Sequence, residues 1–375
     1  MRSFFIFAYI LRIVKGETKK MKNIRLGLIG CGGMMATHAT NINKVTGITI
    51  TALCDLSEEN VKTVAEALGN RPYVTTDYRT MTEEVDAVLV ALPHDLHYEC
   101  GLFFARHKKH ILMEKPLCIT EEECQRLIEV SEEEGVTLMC GYPVPYKTDV
   151  RKLKEMVDSG EYGQIMQMSI WTEQLTRPEP EWSWARTSRL GGGQFFSHGC
   201  HYVDLLLRFL GDPVEGAHFG TRVGTPWLLK EGTSMAIFKF ENGALGYHGA
   251  TWGARGSRLG WCYQIMTDKG LLDYDLSTGE IRFYNQEQMH VPGVIHEGSK
   301  HYTVLYKREK EGTEETTREI AHFADCVLHG KRPLTDGREA MKSLQVIWRM
   351  YDAEKHGTTA DLRGLGLERR WFDEE

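Results

Sequence analysis

The chain has 375 residues, which is enough for about two domains. Its 42% hydrophobic and 26% charged residues match an ordinary globular protein, and the net charge of −7 argues against a nucleic-acid partner, which normally binds a basic surface. Nine irregularly spaced cysteines include no C-x-x-C pair. They disfavour a disulfide framework and indicate a reducing, cytoplasmic location.

The N-terminal extension, residues 1–20, contains an apolar run from Phe4 to Leu11 that ends at Arg12. This run is too short to cross a membrane, which takes about 20 apolar residues. No clear small-residue cleavage site follows it, as an export signal would require. Because Met21 leads directly into the first strand pattern, we favour an upstream start or a disordered extension over an export or membrane role. We predict no membrane partner.

The first predicted domain, residues 21–145, alternates strand and helix patterns. Apolar strand patterns occur at 24–30, 48–55, 73–76, 87–93, 110–116 and 137–142. Helix patterns occupy 57–69 and 120–135, with Ser57 and Thr120 as predicted N-caps. Apolar strands separated by helices predict an α/β fold with a doubly wound parallel sheet covered on both faces.

The second predicted domain, residues 146–375, is richer in strands. Strand patterns occur at 164–172, 235–240 and 244–252 and in the runs WCYQIMT, LLDYDL and IRFY, and helix patterns occur at 194–210, 317–330 and 337–357. The turn residues Asn242 and Gly243 separate two strands and predict a hairpin. These patterns predict an α+β domain with a mostly antiparallel sheet.

A glycine-rich segment, Gly30-Cys31-Gly32-Gly33, follows the first strand pattern and precedes a helix pattern, which is the context of a dinucleotide-binding loop. The glycines permit a tight turn and a close approach to a pyrophosphate, whose charge the helix N-terminus attracts. Asp55 ends the second strand, where a carboxylate binds ribose hydroxyls and repels a 2′-phosphate. These features predict a Rossmann domain that binds NAD in preference to NADP. A structural turn beside a solvated aspartate is the alternative.

Two strands of the first domain end in polar segments, ALPHDLHYE at 91–99 and MEKPL at 113–117. Ligands bind outside the carboxyl ends of the strands in such sheets. A lysine partly removed from water in a cleft can act as an acid–base group near neutral pH, and Lys115 is such a candidate. A solvated lysine at the end of a strand is the alternative.

A third segment, GGGQFFSHGCHYVD at 191–204, places two histidines and an aspartate at helical spacing. His198, His201 and Asp204 could share one side of a helix. Metal binding is one interpretation, and capping and core histidines are another. Because no clear further ligand set accompanies them, we predict no metal.

Together these segments resemble the Gfo/Idh/MocA oxidoreductase family, which includes glucose–fructose oxidoreductase and inositol dehydrogenases. The resemblance covers nearly all of residues 23–358. It rests on GLIGCGG at 27–33, LPHDLH at 92–97, EKPL at 114–117, GGGxxxxxGxHxxD at 191–204, and HFADCVLHGKRPLTDGREAMKSLQVI at 322–347. It implies a Rossmann domain, a C-terminal domain with a large open antiparallel sheet, and a homodimer or homotetramer formed through that sheet.

The resemblance also implies an activity, namely hydride transfer between NAD(P) and a secondary alcohol or carbonyl of a sugar, cyclitol or related polyol. Lys115 looks like the acid–base group, and His201 looks like its partner in proton relay. The implied cofactor contacts are Gly30, Cys31, Gly32, Gly33, Met34, Asp55, Leu92, Pro93, His97, Glu114 and Lys115. The candidate substrate contacts are Tyr142, Trp184, Arg186, Ser197, His198 and Asp204.

The sequence departs from the family pattern four residues before His201, where Ser197 replaces a common aspartate. A serine supplies no carboxylate, so the proton relay would pass through His198 or water. The segment GYPVPY at 141–146 lacks the cation found near the substrate in many members. Two alternative functions remain open: an NAD-dependent glycosidase that oxidises its sugar transiently, and a non-catalytic regulator that responds to the nucleotide.

Overall fold

A computed structural model describes residues 23–176, 186–285, 301–309, 314–366 and 371. The N-terminal extension and the tryptophan-bearing segment 177–185 lie outside the described residues. Among the residues described, no helix is both long enough and apolar enough to cross a membrane.

The first domain is built on a six-stranded parallel sheet with the order β3-β2-β1-β4-β5-β6. Its strands are β1 (Ile24–Ile29), β2 (Ile48–Cys54), β3 (Tyr73–Thr75), β4 (Ala87–Val90), β5 (His110–Glu114) and β6 (Leu138–Gly141). Its helices are α1 (Gly33–Ile42), α2 (Glu58–Leu68), α3 (His97–Arg106) and α4 (Glu121–Glu133). The prediction of a doubly wound parallel sheet is therefore confirmed.

Local sequence signals set the helix ends of this domain. The Ser57 hydroxyl accepts a hydrogen bond from the Asn60 amide at 3.2 Å, and the Thr120 hydroxyl accepts one from the Glu123 amide at 3.2 Å. Each bond satisfies one of the amides that a helix leaves unpaired at its start. Gly69 ends α2 in the left-handed conformation, with φ of 69°.

The second domain is built on a nine-stranded sheet with the order β14-β13-β12-β11-β7-β10-β9-β8-β15. Its strands are β7 (Ile165–Glu173), β8 (Pro213–Thr221), β9 (Thr233–Phe240), β10 (Leu245–Thr251), β11 (Trp261–Thr267), β12 (Leu271–Asp275), β13 (Glu280–Tyr284), β14 (Thr303–Lys307) and β15 (Ala360–Asp361). All neighbouring pairs are antiparallel except β7 with β10. The predicted α+β domain with a mostly antiparallel sheet is confirmed, including the hairpin of β9 and β10.

Five helices accompany the second sheet in the chain: α5 (Thr148–Asp158), α6 (Gln194–Ser197), α7 (Cys200–Leu210), α8 (Glu314–His329) and α9 (Gly337–His356). Helices α7 and α9 pack together against one face of the sheet. Helix α8 instead packs on α1, and its Ile320 and Phe323 join the core that contains Leu26 and Leu28 of β1. The chain therefore returns to the first domain, and the domain boundary after residue 145 stays a prediction.

The expected helix over 194–210 is interrupted. Helix α6 ends at Ser197, and α7 begins at Cys200 after a turn through His198 and Gly199. A Cβ added to Gly199 would lie 2.4 Å from the Phe195 carbonyl oxygen, so the turn requires a glycine. The break turns the backbone toward the first domain, and it separates His198 from the helix that carries His201.

Candidate active site

The glycine-rich loop lies between β1 and α1. Gly30 has φ of +82°, and a Cβ there would lie 2.5 Å from the Ala91 carbonyl oxygen. At Gly32 and Gly33 an added Cβ would meet no atom within 4 Å, so the space in front of the loop is open. No side chain caps the start of α1. Its first amides are therefore available to an anion, which fits the pyrophosphate of a dinucleotide.

Asp55, directly after β2, holds the glycine-rich loop in place. One carboxylate oxygen accepts a hydrogen bond from the Cys31 amide at 2.6 Å, and the other accepts one from the Ser57 amide at 2.7 Å. Each oxygen retains a lone pair for a ribose hydroxyl. The Cys31 thiol is buried, which raises its pKa to about 12, so this residue offers only its backbone to a ligand. The Met34 side chain is exposed in the first turn of α1.

The segment after β4 is tied to the segment after β5 by His97. Its two ring nitrogens lie 2.8 Å from the Pro116 carbonyl oxygen and 2.9 Å from the Leu92 carbonyl oxygen. Burial lowers the pKa of His97, whereas its hydrogen bonds to the two carbonyls act against this. His97 therefore braces the two loops, whereas the half-buried Leu92 and Pro93 are nearer the surface.

Lys115 reaches from the end of β5 toward the second domain. Its Nζ donates a hydrogen bond to the Ser197 carbonyl oxygen at 3.1 Å. Burial, followed by the charge of Lys115, lowers the pKa of His198 to about 3. The same two causes lower the pKa of His201 well below its usual range. The structure therefore brings Lys115 together with two histidines that are both neutral.

The rings of His198 and His201 lie 5.9 Å apart between centroids. His201 is buried, and its Nδ1 has no hydrogen-bond partner among the described residues. A neutral imidazole with an unpartnered nitrogen can accept or donate one further hydrogen bond, depending on its tautomer. Tyr142 packs its ring edge-on against His201 at 5.4 Å, which fixes the orientation of the imidazole.

An aromatic wall, formed by Trp252, Trp261 and Tyr202, borders His198. The ring centroids of Trp261 and Tyr202 lie 5.3 and 5.2 Å from that of His198, and Trp252 lies 6.5 Å away. On the opposite side, the Gln194 amide lies 3.3 Å from His198 Nδ1. Trp252 and Trp261 were not predicted, because they lie more than 50 residues along the chain from His198 with no local motif around them.

The glycines before α6 allow this segment to pack tightly on a buried carboxylate. A Cβ at Gly193 would lie 2.2 Å from the Glu231 carboxyl carbon. Glu231 accepts hydrogen bonds from the Phe195 amide at 3.2 Å and from the Tyr351 hydroxyl at 2.5 Å. Glu231 therefore supports the loop that carries Ser197, a role that no sequence motif indicated.

Several predicted substrate contacts have other partners. Asp204 is buried and pairs with Arg208, whose Nε lies 2.7 Å from its carboxylate. The Tyr142 hydroxyl bonds to the Ser343 hydroxyl at 3.1 Å, away from Lys115. Ser197 is buried and contributes its carbonyl to Lys115. Arg186 is exposed, and Trp184 lies outside the described residues.

An ion pair joins the two domains beside this group. Arg189 Nε lies 3.0 Å from both carboxylate oxygens of Asp95, and His94 Nδ1 lies 2.9 Å from the Leu190 carbonyl oxygen. These contacts hold the segment after β4 against the segment before α6. In the part of the chain that the structure describes, no three His, Cys, Asp or Glu residues are arranged to hold a metal ion.

Comparison with known proteins gives two family matches. A model described as "Oxidoreductase family, NAD-binding Rossmann fold" matches residues 24–142, and the "GFO/IDH/MocA C-terminal domain" matches residues 150–273. Among curated relatives, myo-inositol 2-dehydrogenase of Thermotoga maritima is 28% identical over 60% of this chain and 67% of its own length. The scyllo-inositol 2-dehydrogenase (NAD+) of Bacillus subtilis is 24% identical over 86% of this chain and 92% of its own length.

The matches to the first curated relatives span 56% to 67% of those proteins. Among solved structures, myo-inositol 2-dehydrogenase from Lactobacillus plantarum superposes with a TM-score of 0.75 at 21% identity, covering 91% of this chain and all of that one. That likeness concerns the fold. The two family matches together take in both domains of the fold described above, with the glycine-rich loop and Lys115 inside the first match. The chain therefore belongs to the Gfo/Idh/MocA family of oxidoreductases with an NAD-binding Rossmann domain.

Proposed function

We propose that the protein is an NAD-dependent oxidoreductase that moves hydride between nicotinamide and a secondary alcohol or carbonyl of a sugar, cyclitol or related polyol. One observation carries the proposal: Lys115, at the same sheet edge as the open glycine-rich loop, hydrogen-bonds to the Ser197 carbonyl, directly before His198. The inositol dehydrogenases among its relatives support this substrate class.

Lys115 is the proposed acid–base group. A bound nicotinamide ring would supply the hydride chemistry, while the protein supplies position and proton transfer. In alcohol oxidation the Lys115 amine takes the proton of the reacting hydroxyl, and in carbonyl reduction its ammonium returns one. The Ser197 carbonyl, 3.1 Å from Nζ, accepts a hydrogen bond from the amine and holds it in place. Such general acid–base catalysis typically contributes about 10²–10⁴-fold to the rate.

His201 is the proposed second proton carrier. Its lowered pKa disfavours a charged ring, so it would pass a proton by releasing one from one nitrogen as the other accepts one, and Tyr142 holds the ring in place. Four residues before His201, where many family members have an aspartate, Ser197 supplies no carboxylate. It contacts Lys115 through its backbone carbonyl. The proposed relay therefore passes through His198 or water in place of an aspartate.

The choice of NAD rather than NADP is supported by Asp55. Its carboxylate lies against the glycine-rich loop and would repel a ribose 2′-phosphate. The substrate class is supported by the half-buried Trp261 ring beside His198, since aromatic faces pack well on the C–H surface of a sugar or cyclitol.

A second copy of the chain is the proposed partner, as a homodimer or homotetramer. The face of the nine-stranded sheet opposite α7 and α9 exposes apolar side chains, among them Phe219 at 70%, Met235, Ile237 and Leu245. A cavity of about 580 Å³ lies on this face, lined in part by Trp171 and Tyr247. Exposed apolar surface of this kind is typical of an interface between subunits. The nine cysteines, all buried and free, support a reducing cytoplasmic location.

The test is a panel of cyclitols, aldoses and sugar acids, incubated with NAD or NADP while nicotinamide absorbance is followed. We expect one substrate class to reduce NAD, with activity lost in Lys115→Met. Lys154→Met is the matched control, because Lys154 is also largely buried but pairs with Asp158 on α5. Cleavage of nitrophenyl glycosides without net NADH formation would favour the glycosidase. NAD binding without either reaction would favour the regulator.

A further inference from the structure

A buried histidine–carboxylate pair lies directly behind Lys115. His38, on α1, places its Nε2 2.6 Å from Glu114 Oε1. His38 is 3% exposed and Glu114 is 9% exposed, so the contact is removed from solvent. The proposed mechanism assigns no role to His38, and the resemblance assigned Glu114 only to the cofactor.

Glu114 also contacts the backbone of Lys115. Its second carboxylate oxygen accepts a hydrogen bond from the Lys115 amide at 3.1 Å. Burial raises the pKa of Glu114, but the hydrogen bond from His38 and the charges of His38 and Lys115 outweigh it and lower the pKa overall. The carboxylate is therefore ionised, and an ionised carboxylate accepts both bonds strongly.

The backbone of Lys115 is thus held from two sides. On one side Glu114 holds its amide, and on the other His97 lies 2.8 Å from the carbonyl oxygen of Pro116. His97 is the first residue of α3, which follows β4, whereas His38 belongs to the helix that begins at the glycine-rich loop. The pair therefore connects the element that receives the pyrophosphate with the residue that contacts the substrate.

We propose that His38 is a positioning residue that orients Lys115 by fixing the Glu114 carboxylate against the Lys115 amide. The effect of His38 on catalysis rests on the function proposed above, whereas its effect on the position of Lys115 does not. A general contribution to stability is a weak explanation for the pair, because apolar residues of similar volume often replace buried ion pairs without loss.

Variants with side chains of different length can separate a positioning role of His38 from a general effect of its polarity. The side-chain nitrogen of Gln occupies the place of the histidine Nε2, whereas that of Asn occupies the place of Nδ1, one bond nearer the backbone. His38→Gln can therefore still donate to Glu114, and His38→Asn cannot. Both are polar, so a folding effect of polarity alone would be similar in the two variants. His38→Leu removes the donor entirely.

The first readout is hydrogen exchange of the Lys115 amide in the protein without added ligands, which requires no turnover. Pro116 has no amide, so a short peptide from this turn isolates the Lys115 signal. We expect exchange about tenfold faster in His38→Asn and His38→Leu, as loss of a hydrogen bond to a charged group implies, and near wild type in His38→Gln. His110→Leu is the control, because His110 lies at the opposite end of β5.

The second readout applies to the polyol that the panel identifies. We expect kcat to fall about tenfold in His38→Asn with the NADH dissociation constant unchanged, and the primary deuterium isotope effect on kcat to rise because the chemical step becomes slower. A loss of folded protein would lower kcat without changing the isotope effect. Equal Lys115 exchange in the Gln, Asn and wild-type proteins would overturn the proposal. Absence of turnover would overturn only the proposed function, since the exchange result stands alone.

Discussion

Replacement of Asp204 by Asn separates a structural role from a substrate contact. Asp204 and Arg208 form an ion pair whose side chains are 1% and 0% exposed. Asp204→Asn removes the negative charge that pairs with the buried guanidinium. Removal of one partner from a buried pair typically costs about 3–5 kcal/mol.

The assay is urea unfolding followed by tryptophan fluorescence, with the free energy of unfolding compared between variants. We expect Asp204→Asn to lose about 3–5 kcal/mol, and the double variant Asp204→Leu with Arg208→Met to recover most of it because no charge remains buried. In the folded fraction of Asp204→Asn, KM for the polyol should stay within about twofold of wild type. A normal free energy of unfolding combined with a large rise in KM would refute this reasoning and restore Asp204 as a substrate contact.

Three further predictions concern the cofactor loop, the buried histidines and the sheet face. Gly30→Ala should raise the NADH dissociation constant about tenfold, because its Cβ would lie 2.5 Å from the Ala91 carbonyl oxygen and displace the loop that receives the pyrophosphate. Gly160→Ala also has a positive φ, of +69°, but lies outside the site and meets no atom within 4 Å, so it should leave the dissociation constant unchanged. Burial lowers the pKa of His248 to about 3, whereas in the unfolded chain it is about 6.5. The stability that the neutral ring contributes is therefore fully present above about pH 6.5 and is lost as the pH falls toward 3. His248→Asn removes this titrating group. The change of the free energy of unfolding with pH, measured by urea unfolding between pH 7 and 5, should then fall by the equivalent of about one bound proton. An unchanged pH dependence would contradict the assignment. Ile237→Glu on the apolar sheet face should yield the 42.8 kDa monomer by light scattering, whereas an unchanged mass would place the interface elsewhere.

Local signals explain why so much of the first domain was predictable. Its strands are continuous apolar runs, and its helices begin at side chains such as Ser57 and Thr120 whose capping bonds the structure contains. The glycine-rich loop was recognisable because Gly30 requires a conformation that other residues rarely adopt. These features depend on residues only a few positions apart.

Features that depend on distant residues were not predictable in this way. The aromatic wall joins residues from α7, β11 and the end of β10, which the sheet topology alone brings together. Helical spacing suggested that Asp204 lies beside His198, but the turn at Gly199 separates them, and Arg208 one turn later takes the carboxylate. The parallel pairing of β7 with β10 follows from strand order and has no signature within either strand.

The central claim is hydride transfer that depends on Lys115. The most direct measurement incubates the protein with NADH carrying deuterium at C4 and the ketone of the substrate that the panel identifies, and locates the deuterium by mass spectrometry. We expect deuterium on the carbinol carbon of the product in the wild-type protein and in Lys154→Met, and not in Lys115→Met. Product formation without deuterium in the sugar, or undiminished transfer in Lys115→Met, would contradict it.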